Sequence, residues 1–181
     1  MLFALSFQLK AQDNLDNLYE TWANEKATDT ARVLAFQDYI WYKYLFTAPD
    51  SAKAQIQLMY NFSAEQGFRE GISASYNLWG IAEAIKGNQY AAVKEYEKSL
   101  KILEDIGDEK AISASLNNIG NIYMNHGQYL KALGFYQKGL RLAKKSKDPV
   151  NISANIINLG TVYLEQGNSK KAIEYANKAL L

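Results

Sequence analysis

The residues able to catalyse a reaction or hold a metal are few in this chain, and their spacing suits neither task. His126 is the single histidine and cysteine is absent. That excludes a histidine pair at zinc-ligand spacing, a catalytic dyad built on a second histidine, a thiolate nucleophile and a disulfide framework. His126 stands directly before Gly127 in a turn-like break, where solvent exposure is the simpler reading. Carboxylates gather at Glu104, Asp105, Asp108 and Glu109, but without the alternate spacing of a calcium loop and between Lys101 and Lys110, as in a solvated connector. No glycine loop of the phosphate-cradling or dinucleotide-binding type occurs. The sequence predicts no catalytic residue, no metal site and no cofactor.

Two groupings suit binding instead. Lys138, Arg141, Lys144, Lys145 and Lys147 form a basic run without an intervening acid. Such a run meets phosphate or an acidic partner in a salt-dependent way. No aromatic platform is interleaved, and twenty Lys plus Arg against nineteen Asp plus Glu leave a net charge of +1, so no nucleic-acid partner is expected. A helix end that complements its own dipole accounts for the run. The second grouping is polar and uncharged: Asn77, then Asn117, Asn118 and Asn121, then Asn158 with Thr161. An Asn amide donates and accepts at once, which matches the N–H and C=O of an extended peptide. The same amides serve equally well as ties between neighbouring helices, and both readings stand at this point.

The elements that carry these residues repeat. Gly80, Gly120 and Gly160 recur every 40 residues, each followed seven residues later by Gly87, Gly127 or Gly167. Ile72, Ile112 and Ile152 keep the same register, as do Leu100, Leu140 and Leu180. Within one period, Ile112, Leu116, Ile119, Ile122 and Tyr123 form one helical stripe, and Tyr129, Ala132, Leu133, Tyr136 and Leu140 form another. Gly127 breaks the chain between them, so each unit is a helix hairpin. Asp148-Pro149 offers an N-cap followed by proline at the first helical position. Gly120 lies inside a helix, where glycine costs about 1 kcal/mol relative to alanine. Close approach of a second helix at Ala92, Ala132 or Ala172 is the expected compensation. A degenerate unit precedes the clear ones, with Arg32 under Ile72, Ala52 under Ala92 and Gly67 under Gly107. Hydrophobic residues make up 48% of the chain, enough to require a core, and two prolines without glycine clusters favour one continuous array.

This array resembles tetratricopeptide repeats. The resemblance rests on Leu116, Ile119, Gly120, Tyr123, Gly127, Tyr129, Ala132 and Tyr136, and on Ile156, Leu159, Gly160, Tyr163, Gly167 and Ala172 forty residues on. Glu83 departs from the tyrosine position and Gly139 from the last alanine. The period exceeds the usual one of about 34 residues, which implies longer helices, as in kinesin light chains and many bacterial signalling proteins. The implied fold is all-α: a right-handed superhelical α-solenoid of antiparallel helix hairpins. The domain reading is a signal-peptide remnant at 1–12, a capping helix at 13–28 around Leu15, Leu18, Tyr19 and Trp22, and an array over 29–181. The array divides into a degenerate repeat at 29–68, repeats at 71–110 and 111–150, and a partial repeat at 151–181.

By the same resemblance, first helices line a concave groove. Asn77, Asn117, Asn118, Asn121, Met124, Asn158 and Thr161 then become candidate contacts for a protein or extended peptide segment, with Trp79 and Tyr123 as apolar anchors. Family members that grip a terminal carboxylate use Lys or Arg where this chain has Asn77, Asn117, Ile157, Asn121 and Thr161, so that mode is disfavoured. The expected function is non-catalytic peptide binding in the input or scaffolding region of a larger bacterial signalling protein, with any kinase or cyclase output outside this chain. The alternative is a stand-alone scaffold, or a subunit that self-associates through Ala179-Leu180-Leu181. No apolar run approaches the ~20 residues of a membrane span. The chain is exported or periplasm-facing if residues 1–12 are a leader remnant, and otherwise cytoplasmic.

Overall fold

The computed structural model describes residues 14–179. The leader reading at 1–12 and the Leu180-Leu181 end of the self-association reading lie outside the described residues. Within them the secondary structure is helical, with no strand. Residues 14–23 form α1. Then follow α2 (Asp29–Ile40), α3 (Pro49–Glu65), α4 (Arg69–Ile85), α5 (Gln89–Ile106), α6 (Glu109–Asn125), α7 (Tyr129–Lys145), α8 (Pro149–Glu165) and α9 (Ser169–Ala179). From α2 onward the helices begin at residues 29, 49, 69, 89, 109, 129, 149 and 169, one every twenty. The forty-residue period is therefore two helices of matched length, and the fold is an all-α helical repeat.

Local chemistry sets these boundaries. Asp108 caps α6 by accepting from the Ala111 N–H at 3.0 Å, and Asp148 caps α8 by accepting from Val150 and Asn151, with Pro149 at the first helical position. Two of the gathered carboxylates thus have structural partners, since Glu109 also forms an ion pair with Lys145. Each of the turns at 67, 87, 107, 127 and 167 holds a glycine with positive φ, whereas the turn at 147 holds Lys147 at φ 53°. A left-handed conformation costs a side-chain-bearing residue about 1–2 kcal/mol, part of which glycine returns through its freer unfolded chain. Lys147→Gly is expected to stabilise the chain by roughly 0.5–1 kcal/mol, read as a rise of about 1–4 °C in the calorimetric melting temperature.

The chain packs as two compact units divided between Glu95 and Tyr96, inside α5. In the first, Phe36, Ile40, Leu45, Ile56 and Met59 are fully buried, and Leu15, Leu18 and Trp22 of α1 pack against them. Trp22 stacks on Phe36 at 4.2 Å, and Arg32 lies over the Phe62 ring while its Nε donates to the Trp22 carbonyl at 2.9 Å. The register places buried Ile40 where later repeats carry glycine, and a π-helical turn, Trp41–Leu45, starts at the next residue. Widening the helix there accommodates a side chain where the repeat otherwise has none. Glu83, which replaces the tyrosine of later repeats, pairs with Lys53 and accepts from Asn88 Nδ2 at 2.7 Å; the hydrogen bond from Lys53 holds its carboxyl below the usual range.

In the second unit, α6 packs on α7, α7 on α8 and α8 on α9, and α6 also touches α8. Here the expected partner of Gly120 needs correction. A β-carbon on Gly120 would lie 2.5 Å from Tyr136 Cε1, so the glycine admits the tyrosine ring, not Ala132. Ala132 and Tyr136 are four residues apart and share one face of α7, which is why the period alone does not choose between them. In the α8–α9 hairpin Ala176 stands in the place of Tyr136, and a β-carbon on Gly160 would lie 3.2 Å from Tyr175 Cβ and 3.7 Å from the Ala172 carbonyl oxygen.

Candidate functional site

Of the residues singled out for binding, Asn117 and Asn121 on α6 and Asn158 on α8 come together into a connected amide network. Asn155 sits at its base, fully buried. Its Nδ2 donates to the Asn151 carbonyl at 2.7 Å and to Ser113 Oγ at 3.3 Å, and its Oδ1 accepts from Asn117 Nδ2 at 3.2 Å. Ser113 Oγ in turn donates to the Gly139 carbonyl at 2.8 Å. A β-carbon on Gly139 would lie 2.6 Å from Asn155 Oδ1, so the departure from alanine at 139 makes room for this amide.

Above that base the network reaches the surface. Asn117, 8% exposed, accepts at Oδ1 from Asn121 Nδ2 at 3.4 Å and from Asn158 Nδ2 at 3.2 Å. Asn121 Oδ1 accepts from Asn158 Nδ2 at 3.1 Å and from the Tyr136 hydroxyl at 2.7 Å. Burial raises the pKa of the Tyr136 phenol, so it keeps its proton and serves as a donor. The same hydroxyl approaches Met124 Sδ at 3.6 Å, and Met124 packs with Tyr123 against Tyr136, Leu159 and Val162.

Asn121 and Asn158 are half-buried and keep unused capacity in the described hydrogen bonds. Asn158 Nδ2 spends its donors on Asn117 and Asn121 while its Oδ1 stays open, and Asn121 Nδ2 retains a second N–H. One carbonyl and one N–H therefore stand on adjacent, mutually bonded amides, the complement of one peptide unit. Asn118 is half-buried beside them on α6.

The other expected residues lie elsewhere. Asn77 and Trp79 are half-buried on α4 in the first unit, where Trp79 meets Tyr60 and Tyr76 at 5.4 Å and 5.6 Å. Thr161 donates to the Ile157 carbonyl at 3.0 Å and lines an apolar groove between α8 and α9. His126 is exposed. Along the basic run Lys138, Arg141, Lys144 and Lys147 are exposed, and Lys145 is paired with Glu109.

Sequence reasoning did not single out Asn155 or the Tyr136 hydroxyl as members of this site. The signal for Asn155 was its register: it aligns with Ser75 and Ser115, so a longer amide stands where the repeat has a short hydroxyl. Among the described residues no cluster of three or more His, Asp or Glu is arranged to hold a metal, and no helix is long and apolar enough to cross a membrane.

A family model described as tetratricopeptide repeat matches residues 71–145 and, overlapping them, 111–180. A search of curated proteins finds no match. Among solved structures, BtubC (BKLC) from P. vanneervenii is 20% identical with a TM-score of 0.69, over 96% of this chain and 72% of that one. A signal transduction ATPase with numerous domains and a tetratricopeptide repeat sensor, from Pyrococcus horikoshii, is 22% identical with a TM-score of 0.71, over 90% of this chain. Aspartyl phosphate phosphatase F from Bacillus subtilis is 13% identical with a TM-score of 0.77, over 94% of this chain. The chain spans 25% of the ATPase and 48% of the phosphatase. At these identities the likeness concerns the fold.

Proposed function

Since the chain belongs to the tetratricopeptide repeat family, a fold that implies protein partners, we propose that it is a non-catalytic module whose α6–α8 face takes an extended segment of another protein. The observation that carries this reading is the open Asn158 carbonyl beside the spare Asn121 N–H, on a half-buried polar surface flanked by Asn118. Amides of this kind bond the backbone of a ligand and read little of its sequence. Asn117 and Asn155 do not touch the segment in this account. They hold the contacting amides in orientation, while Met124 and Tyr123 supply the apolar border. We also propose that the module serves as the input or scaffolding part of a larger signalling polypeptide. That placement is supported by the match to an ATPase whose repeats are described as a sensor, of which this chain spans 25%.

The test uses dodecapeptides selected from a random displayed library on the immobilised chain, with affinity measured by calorimetry. Replacing both Asn118 and Asn158 with alanine is expected to weaken the best peptide at least tenfold, with a melting temperature within a few degrees of wild type. Methylating the backbone nitrogens of that peptide is expected to do the same to the ligand side. Retained affinity in both experiments would refute the amide reading.

A further inference from the structure

The outer face of α7 carries cations at three-residue steps, Lys138, Arg141 and Lys144, and Lys147 continues the row in the turn that follows. All four are exposed, and among the described residues none of them forms an ion pair. The nearest acids in sequence are already engaged, since Glu109 pairs with Lys145 and Asp148 caps α8. From Lys110 to Lys147 there is no Asp or Glu. That stretch holds seven of the twenty Lys and Arg, and the rest of the chain sets thirteen against nineteen acids.

The fold does not require this row to be cationic. Forty residues earlier the same positions read Lys98, Lys101, Glu104 and Gly107, and eighty earlier Leu58, Asn61, Ala64 and Gly67. Every one of them is exposed, so in none of these three repeats does the array cover the row with a helix of its own. Only on α7 is the row of one charge.

That charge works against the isolated chain in two ways. The helix dipole favours Lys144 and Lys145 in the last turn but fades before Lys138 and Arg141, where like charges three residues apart repel. Lys147 holds the left-handed conformation at φ 53°, where five other turns hold glycine. A ligand of opposite charge relieves the repulsion.

The surroundings select among anions. A nucleic-acid strand or an anionic bilayer extends past four cations onto a chain that is otherwise acidic, and α7 exposes no aromatic ring for bases to stack on. A short run of carboxylates ends with the row and meets only cations. In a second copy the densest acidic stretch is already committed, because Asp108 caps α6 and Glu109 pairs with Lys145.

We propose that the row Lys138, Arg141, Lys144 and Lys147 docks an acidic segment of a partner protein, at a surface separate from the amide face.

The probe is fluorescein-labelled hexaglutamate, with the full chain titrated in and anisotropy read at about 50 and about 150 mM NaCl. Half-saturation at about 10–100 μM is expected at the lower salt, weakening at least threefold at the higher. Lys138→Gln with Arg141→Gln is expected to weaken binding at least fivefold without lowering the melting temperature. Lys94→Gln with Lys170→Gln, at two exposed lysines elsewhere, is expected to leave it within twofold. Lys147→Gly is expected to weaken binding at least twofold while raising the melting temperature, so that stability and binding move in opposite directions. Equal effects of the two double variants, or no binding up to about 1 mM, would overturn the proposal. So would a labelled thymidine hexanucleotide bound as tightly as hexaglutamate, or phosphatidylserine vesicles that bind the chain and not the Lys138→Gln, Arg141→Gln variant. A dimer in sedimentation that the same variant abolishes would overturn it as well, because the occupant would then be a second copy.

Discussion

Truncating Tyr136 to alanine is expected to destabilise the second unit by about 3–5 kcal/mol, the largest effect of any single change considered for this chain. The ring is fully buried, lies against Gly120 and sends its hydroxyl to Asn121 at 2.7 Å. Removing it opens a cavity at the α6–α7 contact and leaves Asn121 without one of its two donors. Tyr136→Phe separates these terms, because it keeps the ring and loses the hydroxyl; a cost of about 1 kcal/mol is expected. Gly120→Ala gives the reciprocal test. The added methyl would stand 2.5 Å from the ring, so alone it is expected to cost about 1–3 kcal/mol despite the gain in helix propensity. With Tyr136 already truncated, the same change is expected to be close to neutral. Urea unfolding of the four chains would give a coupling of at least about 1 kcal/mol, and additive losses would contradict the pairing of Gly120 with Tyr136.

The second large effect falls on Asn155. Its amide joins the Asn151 carbonyl, Ser113 and Asn117 in a fully buried position. Asn155→Ala leaves the buried Asn117 N–H without its acceptor, and an unsatisfied buried group costs about 1–3 kcal/mol, to which the volume lost at a fully buried site adds. A loss of about 2–3 kcal/mol is expected in the same unfolding assay. Asn155→Ser is expected to recover part of it. Serine occupies the aligned position in earlier repeats, and Ser75 Oγ there donates to the Gly71 carbonyl one turn back at 2.8 Å. Equal losses for alanine and serine would show that packing volume, and not hydrogen bonding, is what Asn155 contributes.

The helical repeat was legible because its signals are local. Helix stripes, a proline after Asp148 and a glycine at every left-handed turn described except the one at Lys147 act within a few residues, and the forty-residue ruler then multiplies them. The partner of Gly120 was not legible, since Ala132 and Tyr136 occupy one face and only the distance between α6 and α7 decides which fills the gap. The asparagines were legible as a group but not as a hierarchy. The tie reading is seen in the structure: Asn117 and Asn155 link α6 to α8, and Asn121 and Asn158 form such ties while keeping the donor and acceptor capacity on which the peptide-binding proposal rests. Which amide is buried depends on how α8 lies over α6, and spacing along one helix does not contain that. The π-turn after Ile40 was likewise hidden, because a missing glycine shows where a repeat departs from its pattern and not how the backbone absorbs it.

The central claim is that the α6–α8 amide face meets the backbone of a bound segment. Its most direct test is a ¹H–¹⁵N spectrum of the side-chain amides, recorded while a library-selected dodecapeptide is titrated in. The account predicts that the resonances of Asn118, Asn121 and Asn158 shift together along one saturable curve, and that Asn155, sealed beneath them, moves least. Shifts confined to the exposed side of α7, at the backbone amides of Lys138 and Arg141, with the asparagine side chains unmoved, would contradict it.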